Sequence, residues 1–334
     1  MKKVFIAILI IASLSAIFYI NKAYKEKLAG QNVRAGWNII RPPHEVSALV
    51  IYGDQIWAGG KDGLYLINRK NPSLARKIEA GFPLTYIKAL LVDRGGLLWI
   101  GHERGLATYD GKNFLEIRGL PDKRVNALME DSKGRIWVGT WGGVAVRKDG
   151  LWRVTKKSDG LLDDMVNVVL EDKAGGMWFG SYVAPSGGIS ILKDGKWQHF
   201  SVQNGLPHNN VSAIFQDRQG LVWIGTGLFD RGGAVGLKFN QGSWVIDKRL
   251  TKADGLAGDK VRSIFQDRDG AMWFGSEYDG VARFNNAGRA VFTGKNGLSD
   301  PEVKVMAQDV DGNIWLATKD GLTYINQESL KALP

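Results

Sequence analysis

The sequence contains no cysteine. That excludes a disulfide framework, a thiolate metal site and a lipid-bearing cysteine. Histidine is scarce, with four residues in 334. No His-Glu-x-x-His, Gly-x-Ser-x-Gly or phosphate-loop motif occurs. Adjacent carboxylates such as Asp163-Asp164 read as solvated surface rather than as an acid–base pair. Lysine and arginine outnumber the acidic residues 44 to 34, a net charge of +10, yet they form no dense run. No basic stripe interleaved with aromatics is present, so nucleic acid is not an expected partner. The scattered charge reads first as a solvated surface, one that suits proximity to anionic lipid or a polyanionic envelope polymer. No cofactor is implied.

Long hydrophobic runs are absent but for one. Val4 to Ile20 is apolar apart from Ser13 and Ser15, after Met1-Lys2-Lys3 and before Asn21-Lys22. Seventeen residues just suffice to cross a bilayer as a helix and exceed the usual core of a signal peptide. The expectation is a signal-anchor over 1–21, with a cleaved signal peptide (cut after Ser15 or Ala16) as the alternative, then a linker over 22–35. An anchor would leave about three residues inside the cell, with the body on the periplasmic or extracellular side of a bacterial inner membrane. Cleavage would make the protein secreted.

Glycine and tryptophan are plentiful, 43 and 12 residues. Seven tryptophans, Trp57, Trp99, Trp137, Trp178, Trp223, Trp273 and Trp315, are spaced 42, 38, 41, 45, 50 and 42 apart. Each sits in a short apolar word such as "RIWVGT" or "LVWIGT". Six residues before it, in every unit but the first, stands an aspartate: Asp93, Asp131, Asp172, Asp217, Asp267, Asp309. A glycine follows each aspartate by three residues, a turn whose carboxylate can cap backbone amides. "DRDG" and "DVDG" resemble the start of a calcium loop, but the remaining ligand spacing is missing, so turn capping is the expectation. Units of about 40 residues with four antiparallel strands are propeller blades. The expected fold is therefore all-β: a seven-bladed β-propeller over 36–328, preceded by the N-terminal transmembrane or signal helix and followed by a tail at 329–334. The last unit lacks a fourth strand, and Trp37 to Arg41 is expected to supply it and close the ring.

The words "VNALMEDSKGRIWVGT", "VSAIFQDRQGLVWIGT" and "VRSIFQDRDGAMWFGS" resemble the two-component regulator propeller repeat. The links "SDGLLDDMV", "QNGLPHNNV", "ADGLAGDKV" and "KNGLSDPEV" are similar to its inter-blade segment, and the match runs from about Trp37 to Asn326. The resemblance implies a bacterial periplasmic sensor or ligand-binding propeller coupled to an output module. No kinase, second membrane helix or DNA-binding tail is evident here, so a signal would pass through a separate signalling protein.

The links after each Trp word vary while the strands do not, the usual build of a binding surface on a rigid scaffold. Together with the "GLxxxxV" segments they occupy one face. They carry Trp141, Tyr182, Phe229, Asp230, Arg231, Glu277 and Tyr278, with His208 in a neighbouring segment and His102 and Arg104 nearer the other side. Aromatics with a few charges suit a sugar, a peptide or an aromatic small molecule; the alternative is that they pack the loops on one another. Of the twelve tryptophans, seven fall on second strands and Trp37, Trp152, Trp197 and Trp244 begin fourth strands. Trp141 alone has no place in the repeat. The expected function is non-catalytic recognition of a small molecule, a glycan or an envelope protein on the loop face. Two alternatives stand beside it. One is a metal-dependent lyase, since streptogramin lyases share this fold; the pairs His44-Glu45 and His102-Glu103 would then hold the ion. The other is a protein-interaction scaffold using a patch around Trp141, Tyr182 and Phe229.

Overall fold

The computed structural model describes residues 34–148, 150–182 and 185–333. The N-terminal anchor or signal segment, 1–21, and most of the linker lie outside them. Among the described residues no helix is long and apolar enough to cross a membrane.

These residues form seven four-stranded antiparallel sheets arranged as a β-propeller. The first strands of the blades are β2 (Ala48–Tyr52), β6 (Ile87–Val92), β10 (Val125–Glu130), β14 (Val166–Glu171), β18 (Val211–Gln216), β22 (Val261–Gln266) and β26 (Val303–Gln308). Each contacts the next around the axis, and β2 contacts β26, so these strands wall a central channel. The tryptophans lie on the second strands: β3 (Gln55–Gly60), β7 (Leu98–His102), β11 (Ile136–Thr140), β15 (Met177–Ser181), β19 (Val222–Leu228), β23 (Met272–Ser276) and β27 (Ile314–Thr318). The seventh sheet runs β26, β27, β28 (Gly321–Ile325) and then β1 (Trp37–Ile40), with Trp37 opposite Ile325. A strand from the N-terminal end of the ring thus pairs with the last blade, which leaves no open sheet edge between first and last.

The core lies between blades rather than at the centre. Trp178, fully buried, packs with Ile189, Ile191, Val211 and Ile224, which places blade four on blade five. Trp137 packs with Val144, Val166 and Phe179 in the same way. The glycine two residues after the tryptophan in six blades, replaced by Ala317 in the seventh, permits this close approach. A Cβ at Gly180 would lie 2.5 Å from Val168 and 2.7 Å from Val211.

The Asp-x-x-Gly turn serves a second purpose. In six blades the aspartate accepts a hydrogen bond from the indole Nε1 of the tryptophan six residues on, at 2.7–3.0 Å. Its other oxygen caps turn amides, as Asp172 does for Ala174 and Gly176. Asp309 of "DVDG" is engaged in this way, while Asp311 pairs with Arg69, so turn capping accounts for the first carboxylate and an ion pair for the second. The residue after the aspartate ties each turn to the next blade: the amides of Arg94, Lys173 and Arg218 donate to Glu130, Gln216 and Gln266. At the junction of the first and last blades Arg69 reaches Asp54 and Asp311 instead.

The chain ends in a short helix, α1 (Gln327–Lys331), whose N-cap Asn326 accepts from the Ser329 amide. Leu330 and Leu333 join the cluster around Trp37, Trp273 and Phe292. These residues therefore seal the base of the closing strand.

Candidate functional site

Along the first strands the ladder skips one residue near the strand start in six blades. The skips fall between Ile87 and Ala89, Val125 and Ala127, Val166 and Val168, Val211 and Ala213, Val261 and Ser263, and Val303 and Val305. A β-bulge leaves its extra residue unpaired and re-aims its side chain. The skipped residues are Lys88, Asn126, Asn167, Ser212, Arg262 and Lys304. In the first blade Ser47 holds the equivalent place just before β2. All seven line one cavity of about 380 Å³ at the channel mouth, together with Trp141, Tyr182 and Val305. That volume is in the range of small-molecule pockets.

The mouth lies on the loop face. Trp141 occupies the first position of the tight turn after β11. The buried Thr140 hydroxyl fixes that turn, donating to the Gly143 carbonyl and accepting from the Gly142 amide. The Trp141 ring is 40% exposed and Arg124 stacks on one face, 4.2 Å from the centroid. Asp122 holds that guanidinium with two hydrogen bonds of 2.9 and 2.7 Å. Stacked and clamped, the indole is fixed before any ligand arrives. Tyr182 follows β15, its amide bonded to the Met165 carbonyl of the inter-blade segment.

Charge is concentrated on one side of the ring. Lys304 pairs with Glu45 at 2.8 Å and lies 3.7 Å from Glu302. Arg262 lies 3.4 Å from Glu277 and 3.8 Å from Glu302, and the buried Lys260 pairs with Glu277 at 2.6 Å. Burial works to raise the Glu45 and Glu277 carboxyls, but Lys304 holds the first, and Lys260 with Arg262 the second, below the ordinary glutamate value. Lys88 has no ion pair among the described residues. The surrounding wall, and Lys304 across the mouth, lower its ammonium from the usual lysine value. Two donors are also unmet: Asn126 Nδ2 and Ser212 Oγ are shielded and lack a hydrogen-bond partner in the structure, whereas Arg262 Nε has the Glu277 carboxylate as its neighbour.

The residues expected from sequence divide into three groups. Trp141 and Tyr182 share the cavity. Glu277 reaches its edge through Arg262, and Tyr278 flanks it, its ring 5.6 Å from the Lys260 ammonium. His208 accepts from the Asn210 amide; burial, with Arg231 and Lys260, pushes its pKa down. Phe229 and Asp230 form the turn between β19 and β20 (Arg231–Asn240), which Arg231 opens; Phe229 is 68% exposed and none of the three lines the cavity. Arg104 is exposed on the turn after β7.

The structure does not bring the candidate metal set His44, Glu45, His102 and Glu103 together. His44 faces Asp320, with Nδ1 3.6 Å from the carboxylate, and Glu45 is taken by Lys304. His102 is buried and stacked on Phe82, and Glu103 is exposed on the turn beyond it. Among the described residues no cluster of three or more such side chains forms. The two His-Glu pairs lie on neighbouring blades, His44 before a first strand and His102 at the end of a second, so the strand geometry sends their side chains to different places.

The ring of bulge residues was missed in sequence. Its signal was a polar residue in a fixed column of an otherwise apolar word: "VSA", "IKA", "VNA", "VNV", "VSA", "VRS", "VKV".

Fold and mouth together define a seven-bladed propeller with a recessed polar site on its loop face. Within that class, the model of the two component regulator propeller repeat matches residues 119–142, 160–183, 205–227, 255–278 and 297–320. No curated protein matches it in sequence. Among solved structures it is similar to the extracellular domain assigned to a hybrid two component system of B. thetaiotaomicron, at 20% identity and a TM-score of 0.77, over 91% of this chain and 43% of that one. It is also similar to virginiamycin B lyase from Staphylococcus aureus (13% identity, TM-score 0.65, 87% of this chain and 98% of that one). A third is PorZ, a surface component of the type-IX secretion system of Porphyromonas gingivalis (16%, 0.63, 85% and 46%). At these identities the likeness shows the fold. The chain spans less than half of the first and third of these proteins.

Proposed function

We propose that this chain is a non-catalytic recognition propeller of the sensor type, acting outside the cytoplasm and binding a small molecule or glycan at the channel mouth. One observation carries the reading. Six bulge residues and the equivalent Ser47 converge on a cavity of about 380 Å³ that Trp141 and Tyr182 also line, and Asn126 and Ser212 among them carry polar atoms without partners. Most buried polar atoms in a fold find a partner, so unpartnered ones on residues that line a cavity call for an explanation. The regulator propeller repeats and the likeness to an extracellular domain support the sensor role and the location. Residues 1–21 would provide the membrane anchor or export signal, and a separate protein would carry the signal onward.

A thermal-shift screen of small metabolites and envelope-derived oligosaccharides tests the reading. Hits should be lost in Trp141→Ala and Tyr182→Ala at unchanged fold, judged by circular dichroism. Hits that survive both substitutions place the site elsewhere. The exposed aromatics Phe229 and Tyr278 on the same face favour a second reading, an envelope protein as partner. Capture of a macromolecule abolished by Phe229→Ala but untouched by Tyr182→Ala would select it.

A further inference from the structure

We propose that the channel mouth recognises an anion-bearing small molecule, its carboxylate, sulfate or phosphate oxygens set against Lys88 and Arg262 and its flat face against Trp141 and Tyr182. This rests on the mouth being the binding site and names the chemistry of what binds there. The argument is one of complementarity. Each carboxylate at the mouth is already engaged: Glu45 and Glu302 by Lys304, Glu277 by Lys260 and Arg262. Lys88 remains over: it forms no ion pair among the described residues and stands in the field of Lys304 and Arg262, with Glu45 and Glu302 only as more distant counter-charges. Such a charge is destabilised by desolvation and by its like neighbour. The unmet hydrogen-bonding groups have the same polarity. Asn126 Nδ2 can only donate, and the Ser212 hydroxyl has a proton to give. A ligand that satisfies them supplies acceptors. Anionic oxygens supply acceptors and the missing negative charge at once, and charge-assisted hydrogen bonds are the stronger kind. The size of the cavity restricts the anion to a small molecule or the terminal unit of a larger one. The clamped Trp141 offers its free ring surface to an apolar or sugar-ring face.

The test compares wild type with Lys88→Met, and with Lys88→Gln in case the first folds poorly. Without ligand these variants should melt close to the wild-type temperature, because the exposed Lys88 has no ion pair to lose. Sulfate titration, against sodium chloride at matched ionic strength, should raise the wild-type melting temperature more than that of either variant. This difference separates site binding from the general stabilising action of sulfate. In calorimetric titration, glucuronate should bind wild type at least tenfold more tightly than glucose, and Lys88→Gln should remove that preference. Inorganic phosphate in place of glucuronate distinguishes a bare oxyanion site from one that also needs the ring. Equal sulfate response in wild type and both variants, with no preference for glucuronate, overturns the anion assignment. Trp141-dependent binding of neutral compounds in that case would leave the mouth standing as the binding site, so the two failures are distinct.

Discussion

Two tryptophans four residues apart, Trp137 and Trp141, should respond to truncation in opposite ways. Trp137 is 7% exposed and packs on Phe179, with ring centroids 5.8 Å apart, and on Val144 and Val166. Its Nε1 donates to the buried Asp131 at 2.8 Å. Trp137→Ala leaves a cavity between two sheets that cannot collapse without moving a blade, a cost of about 3–5 kcal/mol. Asp131 keeps Arg135 and its turn amides, which limits the further loss. Trp141 lies half in solvent on a turn, so its removal opens no enclosed void. It loses partial burial and the Arg124 stack, together about 1–2 kcal/mol. For a domain of this size each kcal/mol moves the melting temperature by about 2 °C, so shifts of roughly 6–10 °C and 2–4 °C are expected. Differential scanning fluorimetry on the two variants measures both. Ligand binding should be retained by Trp137→Ala below its melting point and lost by Trp141→Ala. Equal destabilisation, or a larger one at Trp141, would refute the division of labour between core and site.

Three further outcomes follow from the same geometry. Asp172→Ala removes one acceptor from two turn amides and from Trp178 Nε1, which should cost about 3 kcal/mol; a loss under 1 kcal/mol in urea unfolding would show the Asp–Trp bond to be incidental. Trp37→Ala should cost about 3–5 kcal/mol because the ring is buried against Phe292, 5.4 Å between centroids, whereas Asn38→Ala on the exposed side of β1 should cost almost nothing; equal effects would mean that the closing strand is held by its backbone alone. Burial pushes His102, His199 and His208 down from the ordinary histidine value, so the fold holds them neutral while the unfolded chain protonates them. Their contribution is complete above about pH 6.5 and is lost as pH falls through the folded values, giving a melting temperature that declines between pH 7 and 5. His102→Phe, which keeps a ring against Phe82, should flatten part of that decline, and a melting temperature that rises on acidification would contradict the assignment.

The blades were legible because their most demanding residues repeat at fixed spacing. A tryptophan between sheets, a glycine that lets the next sheet approach and an aspartate that turns the chain cannot be exchanged freely. What the spacing of Asp and Trp did not reveal was that they bond to each other. Six residues apart in a hairpin reads as a turn followed by a strand, and only the fold of that turn brings the carboxylate under the indole. Trp141 was legible as an exception to the repeat, and the structure sets it on the cavity. Phe229, Asp230 and Arg231 stood out for the same reason, yet the longer hairpin of β19 and β20 carries them to its tip. Irregularity in a repeat marks freedom from the core; it does not say where the free residue points.

The bulge column shows why the cavity escaped notice and why its chemistry can vary. A residue left out of the ladder makes no cross-strand pair and fills no space between blades, so the fold imposes only that it be polar. Across seven equivalent positions this chain places Ser47, Lys88, Asn126, Asn167, Ser212, Arg262 and Lys304. The residues on either side remain small or β-branched: Val125 and Ala127, Val211 and Ala213, Val303 and Val305. The scaffold and the site are thus written in adjacent columns of the same word, one constrained by packing and the other not. Exchanging the ring residues should then alter what the mouth binds at little cost to stability. A double variant such as Lys88→Ser with Asn126→Ser, both residues taken from this ring's own repertoire, should melt within about 3 °C of wild type. A loss comparable to that of Trp137→Ala would mean that the column is structural after all.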